Sequence, residues 1–220
     1  MLPVTGKRTN SIMNNSNLEK EVKFYITNLD ALRDRLLAIG ALQTQARIRE
    51  LNYRFDTPDL QLSHNGRALR LRQDKRAIFT YKGPTSLENG VRVRLEHEVE
   101  VSDLASARAI LEGLGYVQTV SYEKWRATYQ YQGLEIALDE LPYGNFTEIE
   151  GSDTAAIQTT ARLLTLDWGA RIQVSYLELF ERLKKTRALT MRDLTFNAFA
   201  GITVTWQDLG VRPADVQSFL

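Results

Sequence analysis

The sequence predicts an α+β fold: an eight-stranded antiparallel β-barrel with a charged interior and helices packed outside. Three observations predict it. Charged and apolar residues alternate with period two in seven segments. Three stretches between them carry an apolar stripe at helical spacing and stop at glycine. The first half of this pattern recurs in the second.

In chain order, Glu19, Glu21 and Lys23 alternate with Leu18, Val22 and Phe24. A first helix is expected over about 29–39, with Leu29, Leu32, Leu36 and Leu37 on its stripe and Gly40 at its end. A less regular strand follows at Leu51–Phe55. Arg70 and Arg72 then lie between Leu69 and Leu71, and Phe79 and Tyr81 alternate with Thr80 and Lys82. From Val91 to Val101 the alternation is plainest, with Arg92, Arg94, Glu96, Glu98 and Glu100 on one face and valines and Leu95 on the other. A second helix is expected over about 103–114, stopping at Gly115. Lys124 and Arg126, then Leu134, Ile136 and Leu138 opposite Asp139, then Phe146, Glu148 and Glu150 opposite Ile149, give three more strands. A third helix is expected over about 153–168, stopping at Gly169, and a fourth from Ser175, where Ser175 and Glu178 have capping-box spacing. Turns are expected at Asp74-Lys75-Arg76, Gly83-Pro84, Glu88-Asn89-Gly90, Gln132-Gly133 and Pro142-Tyr143-Gly144.

Leu18-Glu19-Lys20-Glu21-Val22 recurs as Leu95-Glu96-His97-Glu98-Val99, and each copy precedes a helix and three strands. Neither β-α-β-β-β half alone covers its apolar face, so the two are expected to close into one barrel over residues 18–183, which also removes the edge strands. Residues 1–17 read as a loose tail rich in Asn, Ser and Thr, in which Met13 offers an alternative start. Residues 184–220 read as an extension against the barrel or a partner subunit, with a short helix near Met191–Phe199, a strand at Thr203–Trp206 and a helix stop at Gly210. A homodimer is left open.

The composition excludes several chemistries. There is no cysteine, so disulfides, thiolate catalysis and Cys-held metals are out, and two histidines do not make a His-rich metal site. A metal would be held by carboxylates, which suits Mg²⁺ or Mn²⁺. A net charge of +1 gives no basic excess for nucleic acid. No apolar run is long enough to span a membrane, and no apolar stretch follows Lys7 and Arg8, so no secretory leader or membrane partner is expected and the location is read as cytoplasmic. The Gly83–Gly90 region lacks the Walker pattern.

A charged strand face is ordinarily the solvated face of a sheet. Here nearly every strand has one, and the helices must cover the apolar faces, so the charged faces are expected to point inward. Burying so many charges is costly unless each is paired or bound to an ion. Clustered carboxylates call for divalent cations and clustered Arg and Lys for a polyanion; a metal-bound polyphosphate answers both. Glu19/Glu21 and Glu148/Glu150 each present two carboxylates about 7 Å apart along a strand.

The ordered set Glu19-x-Glu21-x-Lys23, Leu69-Arg70-x-Arg72, Lys82-Gly83-Pro84, Arg94-x-Glu96-x-Glu98, Lys124-x-Arg126, Asp139…Gly144-x-Phe146-x-Glu148-x-Glu150 and Ser175-Tyr176-x-Glu178-Leu179 resembles the CYTH superfamily, the triphosphate tunnel metalloenzymes. That superfamily includes class IV adenylate cyclases, thiamine triphosphatases, inorganic tripolyphosphatases and RNA triphosphatases. Asn52 departs from it, standing where relatives often carry Asp. The resemblance implies a triphosphate-containing small molecule as substrate, held by Arg70, Arg72, Lys82, Arg94, Lys124 and Arg126. It implies Mg²⁺ or Mn²⁺ on Glu19, Glu21, Asp139, Glu148 and Glu150, with Lys23 pairing with phosphate or neutralising the glutamates. By elimination, Glu96 and Glu98 are left to orient a water. Hydrolysis of tripolyphosphate or a nucleoside triphosphate is the first expectation, because the sequence shows no adenine pocket. Cyclisation of ATP, thiamine triphosphate hydrolysis and polyphosphate sensing without catalysis are the alternatives. Crowding among the carboxylates predicts that Glu148→Gln leaves the metal-free protein as stable as before, or more so.

Overall fold

The computed structural model describes residues 17–216. The tail expected over residues 1–17 lies outside them except for Asn17. Among the described residues the elements run β1 (Leu18–Ile26), α1 (Leu29–Ala38), β2 (Leu42–Asp56), α2 (Gln61–His64), β3 (Ala68–Gln73), β4 (Ala77–Glu88), β5 (Val91–Val101), α3 (Leu104–Gly113), β6 (Val117–Tyr131), β7 (Leu134–Leu141), β8 (Gly144–Gly151), α4 (Thr154–Leu163) and α5 (Tyr176–Arg187). The strands close into an antiparallel barrel in the order β1-β5-β4-β3-β2-β6-β7-β8, with β8 returning to β1. The first strands of the two halves, β1 and β5, are neighbours, so the repeat closes on itself as expected.

Three helices cover the outer wall. The outward residues Val22, Phe24 and Ile26 of β1 form one core with Leu32 and Leu36 of α1 and Ile157 and Ala161 of α4. Leu111 of α3 packs with Phe55, Leu69 and Leu71. Each of these helices starts at an Asn or Asp whose side chain accepts a first-turn N–H: Asn28, Asp103 and Asp153. With the apolar residues facing the helices, the charged residues of the same strands face inward.

One end of the barrel is closed. On the inner face the alternation passes from charge to aromatic rings at Tyr25, Tyr122 and Phe146, and these pack with Leu179, Phe180 and Leu183 of α5 and with Leu194, Phe199 and Leu209 beyond it. The segment after α5 is tied down by backbone: Leu194 N–H donates to the Ser121 carbonyl, the Leu194 carbonyl accepts from Glu123 N–H, and Ala214 N–H donates to the Tyr25 carbonyl. Asp215 accepts from the N–H groups of Thr27 and Asn28. Leu194 is fully buried, so Leu194→Ala is expected to cost roughly 2–5 kcal/mol in denaturant unfolding; a change below about 0.5 kcal/mol would show that this segment contributes nothing to the fold.

The structure corrects four local expectations. Gly83-Pro84 is not a turn between strands but a bulge inside β4, where the register slips between Lys82 and Thr85; a bulge is where a sheet tolerates proline. β2 is longer than Leu51–Phe55. α4 ends at Leu163 rather than near Gly169, because Thr165 takes the left-handed conformation (φ 55°) and Leu166 N–H bonds back to Ala161, burying Leu164 and Leu166. Residues 191–199 and 203–206 form turns and irregular chain rather than a helix and a strand. Among the described residues no helix is long and apolar enough to cross a membrane.

Candidate functional site: a charged cavity inside the barrel

The barrel encloses a cavity of about 660 Å³. Its wall carries basic and acidic side chains in nearly equal number, with Leu18, Ala68 and Leu177 as its aliphatic patches. Tyr122 and Tyr176 reach it from the closed end. Of the predicted site residues, Glu19, Glu21, Lys23, Arg70, Arg72, Lys82, Arg94, Glu96, Glu98, Lys124, Arg126, Glu148 and Glu150 all line it. Asp139 does not; it lies fully buried in the wall behind Arg126.

Strand register sets the arrangement. Side chains directly opposite on neighbouring strands face each other, so Arg92, Glu21, Glu150 and Glu135 form one row across β5, β1, β8 and β7. Lys23 stands opposite Glu148, Arg126 opposite Asp139, and Lys124 opposite Glu50. Lys23 Nζ lies 2.8 Å from Glu148, 3.9 Å from Glu21 and 4.2 Å above the Tyr176 ring. Asp139 is saturated: it accepts from Arg126 at both oxygens, from Lys124 at 3.1 Å and from the Tyr176 hydroxyl at 2.8 Å. Arg126 also bonds Glu148. Across the cavity, Lys82 joins Glu19 (3.0 Å) to Glu96. Arg70 pairs with Glu98 at 3.1 Å, Arg72 lies 3.8 Å from the same carboxylate, and Arg94 donates to the Gly83 carbonyl at 2.6 Å.

Two glutamates on one strand face opposite fates. Burial works against ionisation of Glu148, but Lys23 and Arg126 outweigh it and hold the carboxyl well below the usual range. Two residues on, Glu150 makes no ion pair within 4 Å among the described residues. Burial, and then Glu19, Glu135 and Glu21, push it up to about 9. Burial and a hydrogen bond to Glu96 raise Glu19 as well. A carboxyl raised in the folded state holds a proton there that the unfolded chain releases. Its stabilising protonation is therefore complete below the unfolded value and lost as pH rises through the folded one. The metal-free protein is thus expected to lose stability between about pH 4.5 and 9 on account of Glu150, and Glu150→Gln should flatten that slope in unfolding midpoints measured across the range. An unchanged slope would place Glu150 outside the acidic row.

Among the described residues no three His, Asp or Glu groups are already gathered as a ligand set for one ion. The donor chemistry nevertheless fits a hard divalent cation. Glu21, Glu150 and Glu135 stand directly opposite one another, an arrangement that destabilises a sheet unless a cation lies between them.

Several cavity residues carried no assigned role in the sequence reading. Glu50, held down at about 2 by Lys124, Arg126 and Arg72 against the opposing effect of burial, and Arg54 both come from β2. Outer positions of that strand are polar too, at Arg47 and Arg49, which hides the alternation. Glu135 sits among apolar neighbours on β7, and Arg92, which pairs with Glu21 at 2.7 Å, had been placed on the inner face without a function.

Comparison with known proteins agrees with this geometry. The CYTH domain family model matches residues 17–174. The adenylate cyclase CyaB of Aeromonas hydrophila is 27% identical over 185 residues, covering 82% of this chain and 92% of its own. The crystal structure of a Vibrio parahaemolyticus protein provisionally named an adenylate cyclase superposes with a TM-score of 0.66 at 25% identity, covering 75% of this chain and 98% of that one. A Hippeastrum protein, provisionally named an adenylyl cyclase and reported with a dominant triphosphatase activity, shares the fold (TM-score 0.57, 19% identity, 74% of this chain and 95% of that one). With the family pattern spread over seven strands of one closed, charged barrel, the chain belongs to the CYTH family.

Proposed function

We propose that the protein is a divalent-metal-dependent hydrolase of triphosphate substrates, inorganic tripolyphosphate or a nucleoside triphosphate. CYTH proteins are metal-dependent enzymes, and homologues of this chain act on triphosphates such as ATP. The observation that carries the hydrolase reading is the composition of the cavity wall. It offers charge along its length; of its two aromatic side chains, Tyr176 has Lys23 and Lys124 over its ring, and Tyr122 accepts a hydrogen bond from Arg70 at its hydroxyl. A phosphate chain finds partners on every side, whereas a base finds little to stack against.

In this reading Arg70, Arg72, Lys82, Arg94, Lys124 and Arg126 bind phosphate oxygens. Glu19, Glu21, Glu148 and Glu150 would hold Mg²⁺ or Mn²⁺. Asp139, its oxygens taken, would fix Lys124 and Arg126 in place. Because the wall is near charge balance, a polyanion would add negative charge, which an ion held by these glutamates would offset while polarising phosphate oxygens as a Lewis acid. Lys23 keeps Glu148 in position. Glu98, ionised because Arg70 and Arg72 outweigh its burial, or Glu96 beside it, orients a water against the terminal phosphorus. The water oxygen bonds to phosphorus, the bridging P–O bond breaks toward the remaining phosphates, and the carboxylate takes the proton. Phosphate release from tripolyphosphate by wild type and Glu98→Gln, side by side, tests this. Release by the wild type and a loss of about 10²–10⁴-fold in the variant are expected; undiminished release in both Glu98→Gln and Glu96→Gln would remove the water-orienting role.

The names of the relatives favour a second reading, in which the ribose 3′-hydroxyl of ATP attacks the α-phosphorus and pyrophosphate leaves. Tripolyphosphate would then only inhibit.

A further inference from the structure

The inner face of β2 carries donors to which neither the sequence pattern nor the family comparison gives a role. Arg54 lines the cavity and stands directly opposite Arg70 of β3; Asn52, two residues back on the same face, stands opposite Arg72. This two-by-two block holds three guanidinium groups, one amide and no carboxylate. Among the described residues, each of the four leaves a buried nitrogen without a hydrogen-bond partner, Nε of Arg54, Arg70 and Arg72 and Nδ2 of the fully buried Asn52, whose Oδ1 is unpartnered too. Like charges directly opposite on neighbouring strands destabilise a sheet, and unpaired buried donors add to the cost. Arg70 and Arg72 are compensated from elsewhere, by Glu98 and by Glu96 and Asp74. For Arg54, no carboxylate among the described residues lies within 4 Å, and the protein keeps a cation facing a cation. Burial, and the facing Arg70, pull its proton affinity down, while Tyr122 on the neighbouring strand, Asp56 two residues on along β2 and Glu178 on α5 lie within electrostatic reach. That places it toward the closed end of the barrel.

A patch of three guanidinium groups and one amide, whose charge is not balanced from within, is complementary to a tetrahedral oxyanion. An unesterified end phosphate carries more charge and more free oxygens than a bridging one, and the closed end admits the tip of a chain rather than its continuation. We propose that Arg54 is a substrate-binding residue that grips, with Arg70 and Arg72, the unesterified end phosphate of the substrate. This rests on the reading of the cavity as a triphosphate site.

The test is calorimetric titration with inorganic tripolyphosphate in the presence of a metal chelator, so that nothing turns over, on wild type, Arg54→Gln and Arg54→Lys, together with the melting temperature of each free protein. Arg54→Gln is expected to weaken binding about 10–100-fold, the range for a hydrogen bond to a charged group, and Arg54→Lys to recover part of it. The free Arg54→Gln protein should be as stable as wild type or more so, since a facing like charge is gone; a purely structural arginine would give the opposite. Equal binding by wild type and Arg54→Gln overturns this inference and leaves the triphosphate reading standing. A destabilised or unfolded Arg54→Gln protein also overturns it. If the wild type binds tripolyphosphate neither under chelation nor with a divalent metal present, both fall.

Discussion

Glu148→Gln is expected to abolish turnover and to destabilise the protein, and in the second respect the structure reverses the sequence expectation. A neutral amide would take a metal-binding charge out of the site, and losses of about a thousandfold or more accompany removal of a preorganised charge from a phosphoryl-transfer centre. Yet Glu148 does not sit among carboxylates. It lies 2.8 Å from Lys23 and also bonds Arg126, and the Lys23 side chain is only 2% exposed. Neutralising the glutamate leaves two buried cations facing each other, a loss of roughly 3–5 kcal/mol by analogy with broken buried pairs. The matching change at Glu150, which faces Glu19, Glu21 and Glu135, removes repulsion and should leave the metal-free protein at least as stable. Activity assays and urea unfolding on the two variants check both statements. Equal stability changes in the two would mean that the opposed environments do not exist in solution.

Asp139→Asn is expected to destabilise the protein by a similar ~3–5 kcal/mol, because Arg126, Lys124 and the Tyr176 hydroxyl all converge on this fully buried carboxylate. Its effect on metal use should be small by comparison. With no oxygen left over and no exposure to the cavity, Asp139 acts through the cations it fixes, so the metal concentration for half-maximal activity should move less than about threefold, well under the 10–100-fold typical when groups around a metal are lost. The same titration on Glu21→Gln should show a far larger shift. A shift in Asp139→Asn as large as that in Glu21→Gln would make Asp139 a direct ligand.

The sequence was most legible where one face of a strand was uniform. From Val91 to Val101 the charged face is unbroken, with His97 the one polar residue on the other face, and the strand and its inward face follow. β2 was least legible, because Arg47 and Arg49 on its outer side are as polar as Glu50, Asn52 and Arg54 on its inner side, so period two carries no contrast there. Register is the second thing that alternation does not reveal. Glu148 and Glu150 look alike along the chain, and only cross-strand pairing shows that one faces Lys23 and the other faces Glu21 and Glu135. Asp139 shared its family motif with the cavity-lining glutamates Glu148 and Glu150 but lies one layer deeper, fully buried. Beyond α5 the chain packs through single residues, Leu194, Phe199 and Leu209, set in turns, and such anchors have no periodicity to detect.

The central claim is that this cavity hydrolyses triphosphates through contacts made to phosphate. Its most direct test is a substrate panel of tripolyphosphate, ATP, GTP and thiamine triphosphate with Mg²⁺ or Mn²⁺, resolving phosphate, pyrophosphate and cyclic AMP. Phosphate release from tripolyphosphate at least as fast as from ATP, lost when the metal is chelated, is the expected result. Cyclic AMP and pyrophosphate from ATP, with no phosphate released from tripolyphosphate, would contradict it.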